Sequence, residues 1–402
     1  MFKGRARQIE DALDAIFQRS QHIVILGERG VGKSSMANIL YDLIAGLGAK
    51  APNYWYGRVN CGRRETFTTL WKEAFRSVKF TQSKPAMGFG SESSPKDEKT
   101  LTLTDLINEE ELSPARIVTI IRNNPGIWVF DEYNTLQRRD AQPFADLLKA
   151  LSDAGTQAKL VLVGVADSIG NLIEDHASVE RSVRQILMPR MDADEMTAII
   201  QGAESETGLS YSDDAKKAIL ALSQGLPYFT HQIGLFSAKA ALGRLCTDVE
   251  FQDVLNGIAE ALRASEESIK EAYRLATHSQ KKGALYRHVL LACAIAQKNE
   301  FGFFRQGDVG GPLSMIRNRR QVPGVFAAHL SAFCDQARGP VLSRRGPAHN
   351  YVYRFLNPLL QPYAIMQGMS EGLLSHDWLT HFASSDTDTE PLPTGDAANS
   401  RA

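Results

Sequence analysis

The sequence predicts an α/β protein: a core built on a parallel sheet with a phosphate loop, then an α-helical lid, then a C-terminal winged-helix module. Three observations carry that prediction. Residues 27–34 read GERGVGKS, a full match to the phosphate-loop pattern G-x-x-x-x-G-K-[ST], set between an apolar run and a helical repeat. Two further apolar runs, at 127–130 and 159–165, have the character of buried strands. Residues 192–275 then repeat apolar positions at helical spacing, and 283–363 change to three helices followed by a hairpin signal.

Taken in order, residues 6–18 read as an opening helix, and His22-Ile23-Val24-Ile25-Leu26 as the first strand. Ser35 to Ile44 follow the loop as a helix, 54–61 as a second strand, and Thr66 to Val78 as a helix with Phe67, Leu70, Trp71, Ala74, Phe75 and Val78 on one side. Residues 81–100 are rich in Ser, Pro, Gly and charge, which predicts a mobile loop. Ser113-Pro114 caps a helix running to about Asn123. Strands follow at 127–132, 159–165 and 185–188. Gly225-Leu226-Pro227-Tyr228 marks a junction between helices of the all-helical stretch. In the last module, 284–297 is a helix, 306–316 a helix or turn, and 325–336 a helix. Gly339 to Phe355 suggests two strands around Arg345-Gly346-Pro347. The expected divisions are 1–191 for the core, 192–278 for the lid and 279–383 for the winged helix. A polar, acidic tail over 384–402 reads as disordered.

The motif residues are the ones phosphate chemistry needs. Gly27, Gly30 and Gly32 let the backbone bend and turn N–H groups inward, and the new helix adds its positive end. The whole loop, with Glu28, Arg29, Val31 and Ser35, is therefore expected to hold phosphates. Lys33 supplies a point charge between the β- and γ-phosphates, and the Ser34 hydroxyl is placed to ligand Mg²⁺. The strand Ile127-Trp128-Val129-Phe130 ends in Asp131-Glu132. Asp131 is expected to hold Mg²⁺ through its water shell and Glu132 to polarise an attacking water. Asp167, at the tip of the 159–165 strand, either senses the γ-phosphate or caps the next helix. Arg181 and Arg184 either reach a neighbouring subunit's γ-phosphate or lie solvated on the surface.

Composition bounds the class. An apolar share of 43% and a charged share of 23% are ordinary for folded globular domains and speak against a disordered chain. Cys61, Cys246, Cys293 and Cys334 are far apart, with no C-x-x-C pair, which argues against a zinc site and a disulfide framework. No run of 18 apolar residues occurs, and MFKGRARQIED lacks a signal-peptide core, so a soluble, cytoplasmic protein with no membrane role is expected. The net charge of −1 hides an asymmetry. Residues 279–350 hold eleven Lys or Arg against Glu300, Asp308 and Asp335, a balance of +8. Such a module is a possible nucleic-acid footprint, with candidate DNA contacts between 281 and 345.

On these motifs, residues 1–240 resemble the AAA+/STAND ATPases, on the side near the origin-recognition and replication-initiator proteins. Phe2-Lys3-Gly4-Arg5 resembles the F-x-G-R motif ahead of the first strand, GERGVGKSS the phosphate loop, and WVFDEY the Walker B strand. Val59-Asn60-Cys61 resembles a strand ending in which the Asn contacts the catalytic acid. The winged helix and Tyr353 to Leu360 resemble the closing module of that class. The resemblance implies ATP and Mg²⁺ as cofactors, self-assembly, and ATP hydrolysis. The lid segment GLPYFTHQ carries no arginine where AAA+ proteins place one, and its G-x-P resembles the STAND signature, whose Pro packs near the adenine. That assigns Pro227 to the nucleotide site and implies a slow switch more than a motor. The chain has no repeat region after the winged helix, so a separate effector protein is expected.

Two functions compete at this level. One is an ATP-gated switch that assembles with itself and grips the DNA backbone through Arg317, Arg319, Arg320, Arg344 and Arg345. Its helix Val325 to Leu330 offers almost no base-reading groups, so sequence preference is expected to be weak. The other is a signalling or scaffold ATPase whose winged helix is a latch between proteins. A metabolic kinase is disfavoured, since lid and winged helix have no role in phosphorylating a small acceptor.

Overall fold

The structure is a computed structural model and describes residues 4–46, 55–83, 98–165, 181–281, 283–347 and 350–382. It divides into two compact units, Met1–Arg190 and Met191–Ala402.

The first unit contains α1 (Ala6–Phe17), β1 (His22–Gly27), α2 (Lys33–Gly46), β2 (Trp55–Asn60), α3 (Phe67–Arg76), β3 (Lys79–Ser83) and β4 (Glu98–Thr102). It continues with α4 (Pro114–Ile121), β5 (Gly126–Asp131), α5 (Arg138–Asp153), β6 (Ala158–Gly164) and β7 (Val183–Met188). Five strands form a parallel sheet in the order β2-β5-β6-β1-β7. β5 and β6 are buried along their whole length, which explains their unbroken apolar sequences: both faces of a parallel sheet are covered. β6 lies between β1 and β5, with Leu26 opposite Gly164 and Phe130 opposite Leu162. The ends of β1 and β5 therefore emerge on the same edge of the sheet, where open α/β sheets bind ligands.

One face of the sheet packs through an aromatic cluster on α3 and α5. Trp71 lies 5.4 Å from Trp128 and 5.0 Å from Phe130, while Phe144 meets Phe130 at 4.8 Å and Phe67 at 5.0 Å, centroid to centroid. These buried rings anchor the strand that ends in Asp131. The caps follow the sequence: Thr66 accepts from the Thr69 amide and Ser113 from the Arg116 amide.

The expectation of a loop over 81–100 needs correction at both ends. Lys79–Ser83 and Glu98–Thr102 pair as an antiparallel hairpin, with Phe80 opposite Leu101. Apart from Ser83, which ends β3, the Ser, Pro and Gly that suggested a loop belong to 84–97, outside the described residues. The flanking Phe and Thr residues favour strand, and Phe80 packs edge-on against Trp55 at 5.9 Å.

The second unit opens with α6 (Ala193–Thr207), β8 (Ser210–Tyr211), α7 (Asp213–Ser223), α8 (Pro227–Gly243), β9 (Asp248–Val249), α9 (Phe251–Ala264) and α10 (Glu267–Thr277). The stretch read as all-helical thus also holds a short parallel pairing, β8 with β9. Then come α11 (Tyr286–Ile295), β10 (Phe304–Arg305), α12 (Gln306–Ile316), α13 (Pro323–Ala332), β11 (Leu342–Arg345), β12 (Val352–Phe355), α14 (Leu360–Ser370) and α15 (Asp377–Phe382). β10, β12 and β11 form an antiparallel sheet in that order, one short strand more than the hairpin read from sequence. Phe304 stacks on Tyr353 at 5.9 Å.

α14 packs against α11 and also against α7, α9 and α10. Its Gln361 is fully buried, and Nε2 donates to the Gln224 side chain at 2.7 Å and to the Ala294 carbonyl at 2.9 Å. The earlier helices and the C-terminal sheet module therefore share one packed interior.

Candidate nucleotide site

The loop after β1 has the backbone that phosphate binding requires. Gly30 and Gly32 hold φ of 88° and 94°, values that side chains resist, and such turns direct successive N–H groups into one concavity. Gly27 answers a different constraint. A Cβ there would sit 2.5 Å from the Met188 carbonyl oxygen, so the close approach of β7 requires glycine. Val31 is buried and pins the loop. Arg29, Ser34 and Ser35 are exposed, the serines on the first turn of α2.

Two arginines brace this loop from beneath. Arg5 is 1% exposed, and its Nη2 donates to the Val31 carbonyl at 3.3 Å and to the Pro189 carbonyl at 2.5 Å. Arg190 donates through Nε to Glu28 Oε2 at 2.8 Å, with both side chains buried. Glu28, a variable position in the motif, thus has a structural partner at the far end of the unit's sequence. Sequence reading placed Arg5 in a motif and passed over Arg190, which carries no local signal.

Lys33 donates to the Glu28 carbonyl at 2.7 Å. Burial pulls its ammonium down to about 8, and the negative charges of Asp131, Glu28 and Glu132 oppose that shift. Lys33 opens α2 after β1, and Asp131 and Glu132 stand at the end of β5 on the same edge of the sheet. Asp131 is buried at the end of β5; Oδ1 accepts from the Glu132 amide at 2.8 Å and Oδ2 from Arg58 Nη2 at 3.0 Å. Glu132 is exposed and sits at φ 53° and ψ 33°, a left-handed conformation unusual outside glycine. A short turn, Tyr133–Thr135, holds it there: the Thr135 amide and hydroxyl both donate to the Glu132 carbonyl at 2.9 Å. The Thr135 hydroxyl also donates to the Cys61 carbonyl at 2.8 Å, tying the turn to the end of β2. Burial, with Asp131 and Glu132 nearby, pushes the Cys61 thiol up to about 12, so it is no nucleophile.

Asn60, exposed at the tip of β2, is paired in register with Asp131. Arg181 is exposed, and Arg184 forms an ion pair with Asp11 at 3.1 Å. Arg184 lies opposite Ile23, at the start of β1 and away from the loop that follows Gly27. The sheet does not bring either arginine to its own chain's phosphate site. Asp167 lies outside the described residues. Pro227 belongs to the second unit, where it is buried as the first residue of α8. Next to it, the Met191 amide donates to the Gly225 carbonyl at 2.9 Å.

The residues present fit a nucleotide with its metal. The loop offers N–H groups and an ammonium to phosphate, and the Ser34 hydroxyl with the Asp131 carboxylate is the hard oxygen donor set that Mg²⁺ takes. Arg58 is the functional candidate that sequence reading missed. It shares a face of β2 with Asn60 by the two-residue period, and a charge inside a predicted strand was the available signal.

Of the arginines expected to meet DNA, Arg319 and Arg320 before α13 and Arg344 and Arg345 on β11 are exposed. Arg317 is half-buried beside Gln321. Arg344 lies 5.1 Å from the Tyr351 ring and Arg345 5.8 Å from the Phe303 ring. The solvent side of α13 shows Pro323, Gly324, Val325 and Ala328, none of which has a side-chain donor. Lys282 lies outside the described residues, and among those described no helix is long and apolar enough to cross a membrane.

Residues 1–301 match the family model described as novel STAND NTPase 1. Among solved structures, the chain is similar to a Walker-type ATPase of Pyrococcus abyssi, at 14% identity and TM-score 0.54, covering 90% of this chain and 96% of that one. It is also similar to Cdc6p from Pyrobaculum aerophilum, at 18% identity and TM-score 0.47, covering 93% and 96%. A third is the Aeropyrum pernix ORC1 protein in complex with DNA, at 13% identity and TM-score 0.41, covering 93% and 95%. No curated protein matches the chain.

Proposed function

We propose, from the premise that the chain belongs to the novel STAND NTPase 1 family, that it is a slow ATP-hydrolysing switch that self-assembles and engages DNA. The carrying observation is that the phosphate loop, with Gly30 and Gly32 at positive φ and Lys33 opening α2, follows β1 on the edge of the sheet where β5 ends in Asp131. The loop N–H groups and Lys33 bind and orient the triphosphate, Ser34 and Asp131 hold Mg²⁺, and Glu132 orients the attacking water. Mg²⁺, when held by Ser34 and Asp131, would supply neutralisation of phosphate charge. Slow turnover is supported by the absence of arginine in residues 225–232. Arg181 and Arg184, remote from the site of their own chain, are proposed to act on that of a second copy. Pro227 and Asp167 are proposed as further nucleotide contacts. ATP and ADP shift the populations of two states only by binding them differently. In this reading a separate effector protein receives the output.

The three-helix, three-strand module is read as a winged helix whose arginines meet phosphates and whose α13 reads no bases. The test is ATP binding and turnover for wild type, Lys33→Ala and Glu132→Gln, each with and without duplex DNA. Lys33→Ala is expected to lose nucleotide, Glu132→Gln to bind without turning over, and duplex to alter the wild-type rate. Normal nucleotide affinity in Lys33→Ala would remove the basis of the proposal.

A second reading has its own support. α14 packs on both the earlier helices and the sheet module, and Arg338 donates to the Ala276 and His278 carbonyls at 2.9 Å. A module bound so firmly to the lid helices suits a protein latch, and duplex DNA would then leave both binding and turnover unchanged.

A further inference from the structure

The contact between Arg58 and Asp131 is not part of the phosphate-loop pattern, and it bears on the acid assigned to the metal. The Asp131 side chain is 4% exposed, that of Arg58 31%. Of the two carboxylate oxygens, Oδ1 is taken by the Glu132 amide and Oδ2 by Arg58 Nη2. The guanidinium contact is single, not the two-bond fork of which arginine is capable. Arg58 Nε is buried with no hydrogen-bond partner. Asp131 is thus supplied with a cation by its own chain, on the one oxygen that its neighbouring backbone leaves available.

We propose that Arg58 is a positioning residue that acts as a resident counter-ion for Asp131, held on Oδ2 until the site takes its metal. This rests on the reading of Ser34 and Asp131 as the Mg²⁺ ligands. Two cations drawn to one carboxylate repel each other, so Arg58 competes with the hydrated metal for Oδ2 and is expected to leave it when the metal is loaded. Two consequences have opposite signs. Arg58 raises the Mg²⁺ concentration that the site needs, because the metal competes with it. Arg58 also favours metal-free nucleotide, because it masks a carboxylate that would repel phosphate. A residue that merely braced the fold would move both quantities in the same direction.

The experiment measures the binding of a fluorescent ATP analogue to the full chain, first in EDTA and then across a range of free Mg²⁺. Arg58→Met keeps the bulk and removes the charge. It is expected to lower the Mg²⁺ midpoint and weaken metal-free binding, each by about fivefold for a partly exposed pair. Arg58→Lys keeps the charge and is expected to stay near wild type. Unchanged values in Arg58→Met, or both interactions weakened together, overturn the proposal and leave the nucleotide site standing. If wild type binds no nucleotide at any Mg²⁺ concentration, the site reading fails and this proposal with it. Should Arg58→Met not fold, a crystal structure of wild type with Mg²⁺ and a non-hydrolysable analogue decides. Separation of Arg58 from Oδ2 beyond about 4 Å supports the displacement, and a retained hydrogen bond overturns it.

Discussion

Lys33 donates inward to the Glu28 carbonyl, and its burial brings titration into an accessible range. In the free protein the ammonium is charged below about 8 and neutral above it. Phosphate binds the charged form, so nucleotide affinity is expected to fall as pH rises through that value, by up to about tenfold per pH unit. Titrations between pH 7 and 9.5, compared with Lys33→Ala, check this; a flat wild-type profile would contradict it. Stability of the free protein runs the other way. The unfolded lysine, with its ordinary value of 10.5, binds a proton that the folded one lacks above about 8, so stability rises with pH across that window. Glu132 shows a second cost at residue scale. A left-handed φ in a residue with a Cβ costs about 1 kcal/mol or more, and it persists because the Thr135 contacts impose it. Glu132→Gly is expected to stabilise the fold by about 1 kcal/mol in urea unfolding while abolishing turnover. Loss of stability would show that the Glu132 side chain supports the fold.

At the scale of elements, the strand, loop and helix around the phosphate site were legible because each follows a local rule. The apolar run of β1 suits a strand covered on both faces, Gly30 and Gly32 meet a positive φ, and α2 begins where the loop ends. The braces beneath the loop were not legible. Arg190 and Glu28 are 162 residues apart in sequence, and no periodicity links them. The same holds for Arg58 and Asp131, joined only by the register of β2 on β5. Composition misled where two populations were averaged: 81–100 mixes strand ends with the residues between them. The buried Glu28–Arg190 pair, at 7% and 10% side-chain exposure, gives a sharp prediction. Arg190→Ala strands a buried carboxylate and is expected to cost about 3 kcal/mol or more. The double change Glu28→Gln with Arg190→Met removes both charges and is expected to recover most of that loss in chemical denaturation. Equal losses in the single and double variants would place the cost in packing and not in charge.

At the scale of the whole molecule, the question is whether the basic C-terminal module meets DNA or protein. Deleting it is a poor way to ask. α14 and α15 pack on α7, and Gln361 bonds to Gln224, so a cut near residue 280 would strip cover from the helices that precede it. Any gain or loss of activity would then report on a damaged unit. Arg344 and Arg345 are exposed on β11 and can be changed without opening that interior. If they neutralise phosphates, each displaces about one counterion, and removing each charge lowers the log–log dependence of DNA affinity on salt by about 0.9. The Arg344→Gln, Arg345→Gln double variant is therefore expected to reduce the salt slope by about 1.8 and to weaken binding to unrelated duplexes alike, because α13 exposes no base-reading groups. ATP turnover without DNA should stay at the wild-type rate. Under the latch reading neither wild type nor the variant binds duplex DNA, and the variant changes basal turnover or self-assembly instead, so a single pair of substitutions in an intact chain separates the two functions.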